Sequence, residues 1–263
     1  MIIDAHAHVW PDILAPQVLQ RPRAGNHALF DGTVSGLLRS MDEAGVDRSI
    51  CLGVAQSGRY VHRVNEFAAT LNTDRLIGFG TVHPELSAEE NLRSLRENGL
   101  AGVKIHPLYQ GYGLDDPRLH DIFAALGSEF AFIIHAGSGE DPVANERGAP
   151  AKLRALIDRF PESRIIACHF GGYLVLDQAK QFVLGTDVHL ETAWPKSLDE
   201  LDPALVRELM TAHGLDRIIF GSDWPMTNPR REIAAIRALD LDPAAEAGVL
   251  GGNLARVLGL EES

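Results

Sequence analysis

The chain has 263 residues, 45% of them hydrophobic, so its composition allows one large core. A single α/β barrel typically needs about 250 residues. The formal net charge is −12, from 24 basic and 36 acidic residues. A protein that binds nucleic acid or an anionic membrane surface normally shows the opposite excess, so the charge argues against both partners.

Other sequence-wide features indicate a protein of the cytoplasm. No apolar run approaches the roughly 18 residues of a membrane span, and the N-terminus lacks a secretory signal pattern. Cys51 and Cys168 lie in separate apolar runs, where we expect reduced, buried thiols. A homodimer is compatible with the sequence, which does not determine the oligomeric state.

Eight apolar segments rich in β-branched residues are typical of buried strands in a parallel sheet, and each precedes a segment with helical periodicity. The predicted strands are residues 2–8, 49–54, 76–82, 102–106, 131–136, 164–169, 187–192 and 217–222. The predicted helices are residues 34–44, 61–71, 88–98, 117–126, 150–160, 174–183, 203–212 and 230–239, with a last helix at 254–258. Ser87 and Glu90 have the spacing of a capping box, and Gly45 and Gly99 mark helix ends.

Regular alternation of strands and helices leaves two main architectures, an open doubly wound sheet and a closed barrel. Eight units favour closure, because a barrel brings the first and last strands together at one mouth. We therefore predict a distorted (β/α)8 TIM barrel that forms a single domain over residues 1–263. The longest irregular stretch, residues 10–31, is a candidate cover for the barrel mouth.

Histidines and an aspartate stand where the predicted strands end. His6 and His8 point to the same face of the first strand, about 7 Å apart along it. His135, His169 and Asp223 end other strands. Imidazole nitrogen and carboxylate oxygen are ligands that zinc accepts, and a bound ion lowers the pKa of a coordinated water. The alternative is a set of polar residues that merely line loop entrances, but their occurrence at several strand ends favours a metal site.

These segments resemble the amidohydrolase superfamily, and more narrowly the amidohydrolase-related branch that contains aminocarboxymuconate semialdehyde decarboxylase-like enzymes and various hydrolases. The resemblance spans the chain and implies a distorted TIM barrel with a divalent metal ion, often zinc, at its mouth. Its motifs are Asp4-Ala5-His6-Ala7-His8, Gly102-Val103-Lys104-Ile105-His106-Pro107, His135-Ala136-Gly137, Cys168-His169-Phe170-Gly171-Gly172, Gly221-Ser222-Asp223-Trp224-Pro225 and Gly251-Gly252-Asn253-Leu254-Ala255.

The resemblance also implies roles for individual residues. The metal ligands would be His6, His8, His135 and Asp223, around one zinc ion, with Mn²⁺ or Fe²⁺ as alternatives. His169 would lie beside the ion, where it transfers a proton or polarises the substrate. Asp223 would also accept a proton from water, which makes Asp223 and His169 the expected catalytic pair.

Lys104 is ambiguous, because a lysine inside a barrel is costly unless it is paired. In two-metal members of the superfamily, a carboxylated lysine on this strand bridges the ions; we favour one ion and an unmodified Lys104, paired with substrate or with a barrel carboxylate such as Asp4. His106 faces the same way two residues later. It either approaches the mouth or simply ends the strand.

Loop residues after the strands are the candidates for contact with substrate: Arg59, Tyr109, Trp194 and Trp224. An arginine can bind a carboxylate with two hydrogen bonds, and aromatic side chains suit planar organic ligands. Each of these residues could instead serve local packing.

Three functions are compatible with this pattern. The leading hypothesis is a metal-dependent hydrolase that uses an activated water on an ester, lactone or amide bond of a small, carboxylated organic substrate. A metal-dependent decarboxylase on the same site is the alternative, although the lysine in residues 102–107 departs from the pattern expected of decarboxylases. A non-catalytic metal-binding barrel is the third, since fold alone does not determine function.

Overall fold

A computed structural model of the protein describes residues 1–20, 27–138, 141–194 and 196–260. All eight predicted strands are present, and they follow chain order in one parallel sheet. The (β/α)8 barrel class predicted from the sequence is confirmed. The strands are β1 Ile3–Ala7, β2 Arg48–Leu52, β3 Leu76–Thr81, β4 Gly102–Ile105, β5 Ala131–Ile134, β6 Arg164–Ala167, β7 His189–Glu191 and β8 Ile218–Ile219.

Helices alternate with the strands, and the nine predicted helical segments are all found with small shifts of their ends. Ser87 forms the predicted capping box with Glu90, and Gly45 ends its helix with a left-handed φ of 70°. The helices are α1 Ala15–Leu19, α2 Val34–Ala44, α3 Val61–Thr70, α4 Ala88–Glu97, α5 Pro107–Gln110, α6 Pro117–Leu126, α7 Pro142–Arg147, α8 Pro150–Arg159, α9 Leu176–Phe182, α10 Pro203–His213, α11 Pro229–Arg237, α12 Pro243–Ala247 and α13 Asn253–Leu258.

Several predicted strands were too long at their carboxyl ends. β1 ends before His8, β5 ends before His135, and β6 ends two residues before His169. The reason is clearest after β6, where His169 has a φ of 56° that a strand cannot contain. The chemically interesting side chains therefore lie on the first residues of the connecting loops.

The stretch of residues 10–31 is less irregular than predicted, because it contains α1. Residues 21–26 lie outside the described residues, so a covering role for this stretch stays a prediction. The short helices α5, α7 and α12 were also missed. Each begins with proline in its first turn, but each is too short to show helical periodicity in the sequence.

The described residues form two compact units. Unit 1 comprises Met1–Cys51, Thr73–Ile77 and Thr192–Ser263. Within it, the Ala5 amide donates to the Phe220 carbonyl at 3.0 Å, which pairs β1 with the residue that follows β8. The amphipathic helices α2 and α11 pack on each other beside this pair of strands.

Unit 2 comprises Leu52–Asn72 and Gly78–Glu191. Strands β4, β5 and β6 pair in continuous parallel register, and their residues are almost entirely buried. Phe123 of α6 stacks on Phe132 of β5 with ring centroids 4.1 Å apart. Burial of such aromatic faces between helix and sheet stabilises this half of the strand set.

Across the described residues, no helix has the length and apolar character that a membrane crossing requires.

Glu232 links α11 to the loop after β7 through a buried carboxyl group. It accepts hydrogen bonds from Ser197 Oγ at 2.5 Å and from the Leu198 amide at 2.9 Å. Burial raises the pKa of Glu232 from 4.5 to about 7, against the opposing effect of these two hydrogen bonds. Folding therefore retains a proton on Glu232 that the unfolded chain releases as the pH rises.

We predict that Glu232 makes the protein less stable as the pH rises from about 4.5 to about 7, by at most roughly 3 kcal/mol. The stability of Glu232→Gln relative to the natural protein should therefore increase over this interval. Urea unfolding at several pH values measures this difference, with Glu97→Gln as the control for loss of a carboxylate at an exposed position. A Glu232→Gln difference that does not change with pH would contradict the prediction.

Candidate metal centre

His6, His8 and Asp223 form one cluster in unit 1, which we name the His–Asp triad. The Nε2 atoms of His6 and His8 are 3.1 Å apart, so the predicted same-face orientation of these side chains is confirmed. Asp223 Oδ1 lies 3.4 Å from His6 Nε2 and 3.7 Å from His8 Nε2. Three donor atoms of the types that zinc accepts thus converge within 4.8 Å of one another.

The backbone of Asp223 adopts a conformation that non-glycine residues seldom use. Its φ is 60°, in the left-handed region. The surrounding hydrogen bonds support this conformation: the Met226 amide donates to the Asp223 carbonyl at 2.9 Å, and the His8 amide donates to the Trp224 carbonyl at 2.7 Å. Strained residues of this kind cluster at functional sites, so the observation supports a role for Asp223.

Asp4 lies behind the triad, fully buried, with its carboxylate engaged by neighbouring donors. Its Oδ1 accepts from the His6 amide at 3.0 Å and from the Ser222 amide at 2.8 Å, and its Oδ2 accepts from Ser222 Oγ at 2.6 Å. Burial raises the pKa of Asp4 to about 6, while the three hydrogen bonds act in the opposite direction. Sequence reasoning missed the pairing of Asp4 with Ser222, because residues so far apart in the chain give no local signal.

Three tryptophans of unit 1 follow strands that carry or adjoin the triad. Trp10 stacks on His8 with ring centroids 6.1 Å apart. Trp224 is fully buried and stacks on Phe30 at 5.8 Å, and Trp194 is 6% exposed. Substrate contacts of Trp194 and Trp224 stay predictions.

Three histidines form a second cluster, in unit 2, which we name the histidine trio. His169 Nε2 lies 3.1 Å from His135 Nδ1, and the His106 ring stacks on His135 with centroids 4.1 Å apart. Tyr109 packs on His106, with ring centroids 4.3 Å apart. His106 was expected either to approach the barrel mouth or simply to end its strand. Its stacking on His135, a predicted site residue, favours the first role.

His135 is the member of the trio best suited to bind a metal ion. Burial lowers its pKa well below 6.5, and the neighbouring His106, His169 and Lys104 side chains lower it further. A neutral imidazole is the form that coordinates metal. Its Nε2 atom is buried, and no hydrogen-bond partner for it is found among the described residues. Such a nitrogen fits a ligand that would occupy this position.

Lys104 is fully buried in unit 2, and its Nζ lies 3.0 Å from Cys168 Sγ. The sequence suggested a carboxylate such as Asp4 as its partner. The structure places the Cys168 thiol beside the ammonium group, and the pairing of Lys104 with a carboxylate or with substrate stays a prediction. Nothing in the sequence pattern distinguished Cys168 as a partner, since it reads as an ordinary strand residue.

A run of left-handed residues follows β6 and directs His169. His169, Phe170 and Gly171 have φ values of 56°, 52° and 78°. Gly171 packs against Val183, the residue that follows α9, because a Cβ at Gly171 would lie 3.0 Å from the Val183 side chain. This run brings Tyr173 to within 5.4 Å of the His169 ring and 5.9 Å of the His135 ring. Tyr173 is a further candidate that the sequence did not single out.

Arg59 lies apart from these clusters in its side-chain contacts. It is exposed, with its guanidinium 4.5 Å from the ring centroid of Tyr60. A role for Arg59 in binding a substrate carboxylate stays a prediction.

The His-x-His end of β1 and the aspartate after β8 thus place two imidazoles and a carboxylate, the donor types of a zinc site, on a (β/α)8 barrel. The chain belongs to the amidohydrolase family, whose model matches residues 3–260. The resemblance drawn from the sequence motifs is thereby confirmed, and the protein is an enzyme of the amidohydrolase superfamily.

Relatives of known description include hydrolases and decarboxylases. The chain is 26% identical over 284 residues to 4-sulfomuconolactone hydrolase of Rhizobium radiobacter, which covers 98% of this chain and 89% of that protein. The fold of this chain is similar to that of 5-carboxyvanillate decarboxylase from Sphingomonas paucimobilis (TM-score 0.74, 19% identity, 99% of both chains covered). It is also similar to dihydroxybenzoic acid decarboxylase from Polaromonas sp. JS666, solved with bound manganese and 2-nitroresorcinol (TM-score 0.74, 17% identity, 100% of this chain and 98% of that one).

We predict that Cys168→Ala destabilises the protein more than Cys51→Ala, by about 1–3 kcal/mol, because only the first change removes a partner of a buried polar group. Both cysteines are buried, so the loss of packing is matched. Cys168→Ser should recover part of the difference, since its hydroxyl can accept from Lys104. Urea unfolding curves provide the comparison, and equal losses for the two alanine variants would contradict it.

Proposed function

We propose that this protein is a metal-dependent hydrolase that cleaves an ester, lactone or amide bond of a small, carboxylated organic substrate. The observation that carries the proposal is the His–Asp triad, in which two imidazoles and a carboxylate converge. The similarity to 4-sulfomuconolactone hydrolase favours hydrolysis.

His6, His8 and Asp223 would hold one divalent ion, and the sequence-based assignment of His135 as a further ligand stays part of the proposal. Zinc is the favoured ion, and the manganese in a similarly folded decarboxylase keeps Mn²⁺ as an alternative, along with Fe²⁺. When bound, the ion would polarise the scissile carbonyl group and lower the pKa of a water molecule. A second ion bridged by a carboxylated Lys104 is less favoured, because Lys104 Nζ contacts Cys168.

Two side chains of this protein would handle protons and charge. The Asp223 side chain is 13% exposed, which leaves its carboxylate open to water. It can therefore accept a proton from water and pass it to the leaving group. His169 would donate a hydrogen bond to the oxygen that gains negative charge. Its left-handed backbone and its contact with His135 hold the ring in a defined orientation.

Substrate recognition would come from residues on the loops after the strands. Tyr109 is 40% exposed and packs on His106, so it offers an aromatic face to a planar organic molecule. Arg59, Trp194 and Trp224 complete the proposed set of contacts. The remaining proposals about context are a cytoplasmic location, a small-molecule substrate rather than nucleic acid or membrane, and a homodimer as the alternative to a monomer.

The reaction class can be tested with the purified, zinc-loaded protein and a panel of small carboxylated lactones, esters and amides. We expect proton release from at least one lactone or ester, lost with a chelator and restored by zinc or manganese. Release of carbon dioxide from unsaturated or aromatic acids, without hydrolysis, would overturn the proposal in favour of the decarboxylase. If the metal-bound protein turns over neither the lactones, esters and amides nor the unsaturated and aromatic acids, the non-catalytic barrel would be favoured.

We predict that Asp223→Asn lowers kcat for the hydrolysed substrate by about 10²- to 10⁴-fold, the range typical of a lost general base. The amide keeps the size of the side chain but cannot accept the proton. Asp216→Asn, the same change at an exposed residue before β8, is the control and should keep the natural rate. Steady-state kinetics on both variants, with metal content measured alongside, decides the point. An Asp223→Asn enzyme with metal bound and an unchanged kcat would contradict the role.

A further inference from the structure

We propose that Asp4 is a positioning residue, which holds Asp223 and His6 in the geometry of metal ligands without binding the ion itself. The inference rests on the proposed metal site and gives a role there to Asp4, which the proposed ligand set does not include. It depends on contacts within unit 1 alone.

One oxygen atom of Asp4 joins the two ligand-bearing segments. Asp4 Oδ1 accepts from the amide of His6, which is a triad member, and from the amide of Ser222, which directly precedes Asp223. The two segments also bond directly through the His8 amide and the Trp224 carbonyl, and Asp4 adds an acceptor that both segments share. Movement of either segment would break a hydrogen bond to a buried carboxylate, which is costly in a dry interior.

The second carboxylate oxygen of Asp4, Oδ2, helps to fix the residues on both sides of Asp223. Asp4 Oδ2 accepts from Ser222 Oγ at 2.6 Å, and Ser222 Oγ in turn accepts from the Trp224 amide at 3.1 Å. Thr227 Oγ1 donates to the Ser222 carbonyl. Residues 222 and 224 are thus both tied down, which accounts for how Asp223 keeps its left-handed φ of 60°.

The same contacts explain why Asp4 itself is not a ligand. Both of its oxygens already accept hydrogen bonds from protein donors, and the carboxylate is fully buried. The set of donor atoms that converge for an ion contains His6, His8 and Asp223 but not Asp4. Residues that hold metal ligands in place typically change metal affinity by about 10- to 100-fold when they are removed.

Cobalt binding tests this role without an enzymatic substrate, because the visible absorption of Co²⁺ reports the geometry of its ligands. The variants are Asp4→Ala, Asp4→Asn and Ser222→Ala. Ser49→Ala is the matched control: Ser49 pairs in register with Asp4 on β2, is fully buried, and its Oγ has no hydrogen-bond partner among the described residues. Urea unfolding of each metal-free variant measures stability separately.

We expect the natural protein to bind Co²⁺, and Asp4→Ala and Ser222→Ala to bind it about 10- to 100-fold more weakly with an altered spectrum. Asp4→Asn should restore most of the affinity, because its Oδ1 can accept from both amides and its amide group can donate to Ser222 Oγ. Ser49→Ala should bind Co²⁺ like the natural protein. Should Asp4→Ala fail to fold, Ser222→Ala still tests the network.

The two proposals fail in different ways. If the natural protein binds neither Co²⁺ nor Zn²⁺, the proposed metal site is wrong and the role of Asp4 falls with it. If the natural protein binds Co²⁺ while Asp4→Ala and Ser222→Ala keep its affinity and spectrum, the positioning role alone is overturned. Loss of stability with unchanged cobalt binding would likewise show that Asp4 serves only the fold.

Discussion

The pairing of β1 with the residues around β8 is the constraint on which the His–Asp triad depends. The Ala5 amide bonds to the Phe220 carbonyl, and Ala7 forms a parallel bridge with Trp224. Side chains on β1 alternate between faces, so one register places both His6 and His8 toward Asp223. A shift of one residue would turn both imidazoles away from the carboxylate, so backbone pairing decides which side chains face one another.

Burial supplies the chemical state of the site residues. An imidazole removed from water and placed beside other basic groups has a lowered pKa, as His135 does, and a neutral ring nitrogen is what a metal ion needs. Burial likewise favours the neutral form of Asp4 and raises its pKa, while three hydrogen bonds act in the opposite direction. The left-handed backbone of His169 and of Asp223 indicates that the loops after β6 and β8 accept strain to aim these two side chains.

Membership of the amidohydrolase family establishes the class of enzyme but leaves the reaction to the details of the site. Hydrolases and decarboxylases share the fold, so a similar backbone cannot distinguish attack by water from loss of carbon dioxide. The features that would separate them lie in the loops: the position of Tyr109 on His106, the orientation of His169, and the cations available to a carboxylate. These are side-chain properties that vary while the barrel persists.

The sequence by itself determined the order of strands and helices, the closed (β/α)8 class and the choice of candidate site residues, because these depend on local periodicity and on which residue types end apolar runs. The His6–His8 arrangement followed from strand alternation alone. The tertiary structure decided which residues meet: Ser222 beside Asp4, Cys168 beside Lys104, and Tyr173 beside two histidines. Such contacts join positions far apart in the chain, and they depend on register and on left-handed loop residues that leave no periodic signal in the sequence.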